Sequence, residues 1–225
     1  MAKRKETPPS RKQVTRWLGD LLMRDVFHVP GDPRFYWASE VTLDNRLYTP
    51  GAPPEIRVDF IQFKPVNKSP GGIDAGQFCF FEVKSCIEDF KSDHGHNLFG
   101  DRNYYVMTNE LFNALVEEDP HLSMLSPTKR YGSRAGVYVP VNTESAPVTD
   151  AEWNDYYRVN APEMCLPNPF RGGARDTARL KCVYKGDRNL QRPYSTSELL
   201  FAMMRSAGRD RVCCQQEYWN GGIAL

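Results

Sequence analysis

The sequence lacks the long apolar runs and paired cysteine motifs that mark several common classes of protein. No stretch is long and apolar enough to cross a bilayer, and no apolar segment follows Met1, so we expect no membrane partner and a cytoplasmic location. The six cysteines form no C-x-x-C pair. This pattern predicts free thiols in a reducing compartment and argues against zinc held by cysteine.

Several catalytic signatures are absent as well. The chain contains no G-x-S-x-G nucleophile elbow and no H-E-x-x-H zinc helix, so the signals for those hydrolase classes are missing. The glycines at 71, 72 and 76 are not followed by the Lys and Ser or Thr of a phosphate loop, and we expect no nucleotide to bind there.

The composition of the chain is that of an ordinary folded domain. Its 225 residues are 40% hydrophobic and carry a net charge of +1, which suits one sizeable core. We divide the chain into a flexible basic lead-in, a core, an irregular basic insertion or arm, and a C-terminal helix and tail that pack on the core. These parts cover residues 1–9, 10–141, 142–193 and 194–225.

Local patterns predict alternating helices and strands. Three S-x-x-Q or S-x-x-E capping boxes predict helices that begin after Ser10, Ser85 and Ser195, and a further helix is expected over 108–118. Apolar and β-branched runs predict strands over 36–43, 58–63, 78–83, 103–107 and 137–141. The order indicates a mixed α/β layer structure rather than a regular βαβ array.

Charged residues interrupt two of the apolar strands. Asp59 lies inside the first run, and Glu82 and Lys84 lie at the end of the second. In a strand, Glu82 and Lys84 point to the same face. If the intervening hairpin is symmetric about residues 70 and 71, Asp59 lies opposite Glu82, close enough for the two carboxylates to share one hard cation.

These residues resemble the hallmark of the PD-(D/E)XK nuclease superfamily: an Asp on one strand, E-x-K on the next and often an earlier Glu, here Glu40. The closer resemblance is to the MmcB-like DNA-repair branch and covers roughly the first 140 residues. The stretches that carry it are Glu40 to Leu43, Arg57 to Asp59, Glu82 to Ser85, Asp89 with Phe90 and Asp93, and Asp101 to Tyr105.

The resemblance implies a restriction-endonuclease-like mixed central sheet flanked by helices, with an irregular C-terminal insertion. It implies a Mg²⁺-dependent endonuclease that hydrolyses DNA in repair or in the processing of foreign DNA, with Mn²⁺ able to substitute. Asp59 and Glu82 would hold the metal with the carbonyl of Val83, Glu40 would be an outer or second-metal carboxylate, and Lys84 would be the catalytic lysine. Such enzymes often act as homodimers, but no dimer face is readable in the sequence.

A basic segment suggests how nucleic acid would be bound. Seven basic residues and two acidic ones lie between Arg171 and Arg192, a balance that suits a polyphosphate partner. The candidates for nucleic-acid contact are Arg171, Arg175, Arg179 and Lys181. DNA is the expected partner, and the sequence leaves RNA open.

Other interpretations of the same residues remain open. Asp59 and Glu82 could form a structural ion-pair network with Lys84 and Arg57. The chain would then be a non-catalytic module that binds nucleic acid or protein, or an interaction protein that uses the 142–193 arm. Elsewhere, we expect Asp89 to point outward from its helix. With Asp93, one turn away, it could add to the field of the site, and a solvated helix face explains both residues equally well. His94 and His96 are expected at a helix end or in solvent rather than at a metal.

Overall fold

A six-stranded mixed sheet forms the centre of the protein in the computed structural model, which describes residues 9–28, 36–45, 54–92, 94–126, 134–142 and 178–207. The strands are β1 Tyr36–Asp44, β2 Glu55–Lys64, β3 Gln77–Lys84, β4 Arg102–Met107, β5 Gly136–Asn142 and β6 Ala178–Tyr184. They lie in chain order across the sheet. β3, β4 and β5 run parallel to one another, and the other neighbouring pairs are antiparallel.

Helices pack on both faces of this sheet, which confirms the predicted mixed α/β class. They are α1 Arg11–Leu22, α2 Pro70–Asp74, α3 Ile87–Lys91, α4 Asn109–Glu118 and α5 over 196–207. A π-helical turn, Met23–Phe27, extends α1, and a 3₁₀ turn, Ser123–Leu125, follows α4. None of the described helices is long and apolar enough to cross a membrane.

Within the described ranges, the core forms two apolar clusters, one on each face of the sheet. Alternate residues of β3 supply both clusters, because successive side chains in a strand point to opposite faces. Phe78 and Phe80 pack with α3, α4 and α5, whereas Phe81 and Val83 pack with α1. Glu82 and Lys84 therefore lie on the face that carries Phe80.

The register of the β2–β3 hairpin agrees with the sequence prediction. Phe60 pairs with Phe81 and Lys64 with Gln77, so Asp59 and Glu82 are the next opposed positions. The connection between the strands contains the short helix α2 rather than an open loop. The hairpin still keeps the predicted symmetry.

The alternation of β1 is interrupted at Glu40. This residue has a φ of 51°, and the pairing of β1 with β2 passes from Ser39–Phe60 to Val41–Val58 around it. Ala38 and Val41, three residues apart, consequently join the same apolar cluster. Glu40 and Asp59 lie at this irregularity.

Two of the three predicted capping boxes are confirmed. Ser10 and Gln13 cap α1, and Ser195 and Glu198 exchange the same hydrogen bonds at the start of α5. The third predicted capping box, at Ser85, is wrong.

Helix α3 begins after Cys86, whose side chain makes no capping bond. The Ser85 N–H instead donates to Asp89 Oδ2 at 3.3 Å. Asp89 is buried, not solvated as predicted, because it faces two cations, Arg11 and Lys84.

The prediction that 142–193 is irregular is wrong for the residues that form β6. This strand pairs with β5 along its length, and the backbone N–H groups of Asp187 and Asn189 then bond carbonyls of Arg134 and Asp101. The residues 1–8, 143–177 and 208–225, which include most of the predicted arm, lie outside the described residues.

Candidate active site

The carboxyl groups of Asp59 and Glu82 are in hydrogen-bond contact at the end of the β2–β3 hairpin. Asp59 Oδ2 also accepts the backbone N–H of Val83 at 2.8 Å, which fixes its orientation. The backbone N–H of Asn97 lies near Glu82 and acts to lower the pKa of its carboxyl group. Local pairing of two strands thus brings together the two acids that the sequence singled out.

Burial dominates the electrostatics of this acid pair. Desolvation raises the pKa of Asp59 although the Val83 N–H opposes the shift. Desolvation raises the pKa of Glu82 further, with the Asp59 charge acting in the same direction and the Lys84 charge opposing it. Two carboxylates this close cannot both ionise easily, so in the absence of a cation their mutual repulsion opposes the loss of the second proton.

One oxygen of the pair stands out. Glu82 is 2% exposed, and its Oε1 has no hydrogen-bond partner within the described part of the chain. A buried carboxylate oxygen without a partner is costly. A hard cation between Asp59 and Glu82 would satisfy it, so the donor set fits Mg²⁺.

Lys84 lies beside the acids and is as deeply buried as Glu82. Its Nζ donates to the carbonyl oxygens of His94 at 2.7 Å and Asp89 at 3.4 Å, and it lies 4.0 Å from Asp89 Oδ1. Gly95 has a φ of 69°, and a Cβ there would lie 2.8 Å from Lys84 Nζ and 3.2 Å from Glu82 Oε2. Glycine therefore lets the backbone close over both charged groups.

These residues form the floor of a cleft with a volume of about 620 Å³. Arg11 and Thr15 of α1, Arg57 of β2 and Asn97 line it above the acids. Both arginine side chains are largely exposed. The cleft thus combines an acidic floor, in which Glu82 is buried and Asp59 partly buried, with a solvated cationic rim.

The structure places Glu40 differently from Asp59. Its carboxylate is 55% exposed and pairs with Arg57, Nε to Oε2, at 2.7 Å, and Glu40 is not among the residues that line the cleft. The role of Glu40 as an outer metal ligand remains a prediction. The same is true of the Val83 carbonyl, although Val83 itself lines the cleft.

The predicted nucleic-acid residues fall into two groups. Arg171 and Arg175 lie outside the described residues. Arg179 and Lys181 lie on β6, three strands from β3, or about 14 Å at the usual strand spacing. Neither residue lines the cleft.

His96 is part of the protein framework. Its Nε2 contacts the carbonyl oxygens of Phe90 and Ser92, and its Nδ1 contacts the Tyr105 hydroxyl at 2.7 Å. Carbonyls accept, so Nε2 carries the proton and Nδ1 accepts from Tyr105 in the neutral ring. His94 contributes its carbonyl to Lys84.

Sequence reasoning missed Arg11, Gly95 and the inward orientation of Asp89. Arg11 pairs with Asp89 across 78 residues of chain, and no local pattern encodes such a contact. A glycine between two histidines offered only a weak signal of close backbone approach.

Comparisons with protein-family models, curated proteins and solved structures found no match. In the described ranges, no group of three or more His, Cys, Asp or Glu side chains is arranged to hold a metal. A cation at the acid pair would therefore complete its shell with backbone carbonyl, water or substrate oxygens, as Mg²⁺ commonly does.

Proposed function

We propose that the protein is a Mg²⁺-dependent nuclease with a restriction-endonuclease-like fold, which hydrolyses phosphodiester bonds in DNA during repair or the processing of foreign DNA. One observation carries this proposal. Asp59 and Glu82 lie side by side at the floor of an open cleft, and Glu82 Oε1 has no hydrogen-bond partner among the described residues. Lys84 Nζ and Glu82 Oε2 both lie against Gly95.

The acids have the role of metal ligands in this proposal. Asp59 and Glu82 would hold Mg²⁺ or Mn²⁺, with the Val83 carbonyl as a further donor. When bound, the ion supplies Lewis acidity and lowers the pKa of a coordinated water. Val83 keeps Asp59 in place through its N–H.

Lys84 supplies positive charge where the reaction develops negative charge. The carbonyl oxygens of His94 and Asp89 hold its ammonium at the cleft floor, so little reorganisation is needed when substrate enters. A preorganised donor in a buried site stabilises a transition state more than the same group in water does. Lys84 can also orient the attacking water.

A non-catalytic module on the same fold is favoured by one observation. The contacts of Lys84 with Asp89 and His94, and of Asp89 with Arg11, also form a closed structural network. In that case the carboxylates stabilise the cleft but cut nothing, and the protein binds nucleic acid or a protein partner.

Cleavage assays separate the two functions. Single- and double-stranded DNA and RNA are incubated with wild type, Lys84→Met and the control Lys68→Met, in Mg²⁺, Mn²⁺ or chelator. Lys68 is exposed and lies in the hairpin connection.

We expect metal-dependent cutting of DNA that falls about 100-fold or more in Lys84→Met and is unchanged in Lys68→Met. Salt-sensitive DNA binding without cutting by the wild type would instead identify the module.

A further inference from the structure

Two arginines stand at the mouth of the cleft. Arg11 is the first residue of α1, and Arg57 lies on β2 two residues before Asp59. Both line the cleft, and their side chains are 64% and 68% exposed. The cations are thus accessible from solvent, whereas of the acids that they flank Glu82 is buried and Asp59 is partly buried.

Each arginine is held by a carboxylate of the protein. Arg11 pairs with Asp89, and Nε of Arg57 pairs with Glu40 Oε2 at 2.7 Å. A guanidinium has five N–H donors in a planar fork that matches both carboxylate and phosphate. The Arg57–Glu40 pair is exposed on both sides and is therefore weak in water, so phosphate oxygens can replace Glu40 at little cost. Asp89 is only 11% exposed and keeps its bond to one amino group of Arg11, and the other donors of that guanidinium can bind phosphate.

The two pairs come from separate elements. Arg11 belongs to α1, which packs on the face opposite to α3, and its partner Asp89 belongs to α3. Arg57 and Glu40 belong to the β1–β2 ladder. Two guanidinium groups from different elements therefore line one cleft, and each is oriented by its own carboxylate.

We propose that Arg11 and Arg57 bind two phosphates of a nucleic-acid strand beside the acid pair, Arg57 by exchanging Glu40 for phosphate oxygens and Arg11 while it retains its contact with Asp89. This inference rests on the proposed function, which makes nucleic acid the ligand of the cleft. Phosphate binding can nevertheless be measured without cleavage. Because phosphates carry no sequence information, the contacts position the strand without choosing its sequence.

Salt-dependent binding tests the two arginines. Fluorescence anisotropy of short labelled DNA, single- and double-stranded, is measured in chelator over about 50 to 200 mM NaCl. The full-length proteins are wild type, Arg11→Gln, Arg57→Gln, their double variant and Arg134→Gln. Arg134 is a matched control, since it is partly exposed, forms an ion pair with Asp187 and lies away from the cleft.

Each cleft variant should lose one phosphate contact. The slope of log K against log[NaCl] should become shallower by about 0.9 for duplex or about 0.7 for single-stranded DNA in each single variant. The double variant should lose about twice as much, and Arg134→Gln should retain the wild-type slope. Arg57→Lys should keep the slope but bind more weakly, because lysine keeps the charge without the fork.

The outcomes separate this inference from the nuclease proposal. Unchanged slopes in folded Arg11→Gln and Arg57→Gln, checked by circular dichroism, would overturn the phosphate sites even if the wild type cuts DNA. Shallower slopes together with no cutting by the wild type in Mg²⁺ or Mn²⁺ would support the phosphate sites and reject the nuclease. Absence of DNA binding by the wild type at every salt concentration would reject this inference too.

Discussion

Asp59 lies opposite Glu82 across two antiparallel strands, and their carboxyl groups lie close together where Glu82 is buried and Asp59 partly buried. The contact is favourable only while a proton or a cation offsets the second negative charge. This relationship links the stability of the protein to pH and to divalent ions.

The acid pair should make the protein less stable as the pH rises. Both pKa values are raised from ordinary values of 3.8 and 4.5, so between those values and the raised ones the folded state binds more protons than the unfolded state. The free energy of unfolding therefore falls as the pH rises through that window. Urea denaturation in chelator at several pH values measures this fall.

The Glu82→Gln variant tests the cause of that pH dependence. Glutamine keeps the shape but cannot ionise, so the fall in unfolding free energy should become smaller, and the variant should exceed wild type in stability at neutral pH. Glu117→Gln, at an exposed site on α4, should leave the profile unchanged. An equally steep fall in Glu82→Gln would show that other groups cause it.

Divalent cations should stabilise the wild type. A cation that binds only the folded state adds about 1.4 kcal/mol at ten times its Kd, which a thermal denaturation series in Mg²⁺ or Mn²⁺ would show as a rising Tm. The rise should vanish in Asp59→Asn and persist in Asp20→Asn, whose side chain is exposed on α1. Equal shifts in both variants would place the bound ion elsewhere.

Gly95→Ala should lower the cleavage rate strongly and the free energy of unfolding only modestly. A positive φ costs a non-glycine residue roughly 1–2 kcal/mol, and the added methyl would meet Lys84 Nζ at 2.8 Å and displace it from the acids. Gly71→Ala is the control, since its methyl would meet nothing within 4 Å. Cleavage rates and urea denaturation of both variants are compared, and full activity in Gly95→Ala would contradict the assigned position of Lys84.

His96 should destabilise the protein in acid. Burial, aided by the Lys84 charge, lowers its pKa from 6.5, so the unfolded state binds more protons in the window below 6.5 and stability falls as the pH drops through it. Titration of the ring by NMR should show the lowered pKa. His96→Gln should remove this acid-side loss, whereas His121→Gln, at an exposed site, should retain it.

Much of the fold was predictable because it depends on local patterns. The capping boxes at Ser10 and Ser195 involve residues three apart, and the apolar runs of β2 and β3 form strands whose register follows from one short connection. Strand β6 was not predicted because its alternation of buried and exposed residues is brief and lies among prolines and glycines. Only Ala178 and Leu180, buried on either side of the exposed Arg179, show it clearly. Pairing with β5 stabilises it.

The sequence by itself determined the mixed α/β class and the opposition of Asp59 and Glu82, because strand periodicity and hairpin symmetry are properties of neighbouring residues. Only the tertiary structure decided what surrounds that pair. Arg11 reaches Asp89 across 78 residues, and burial of Glu82 depends on the packing of α3 and the loop after it. Desolvation and long-range ion pairs exist only once distant segments have packed.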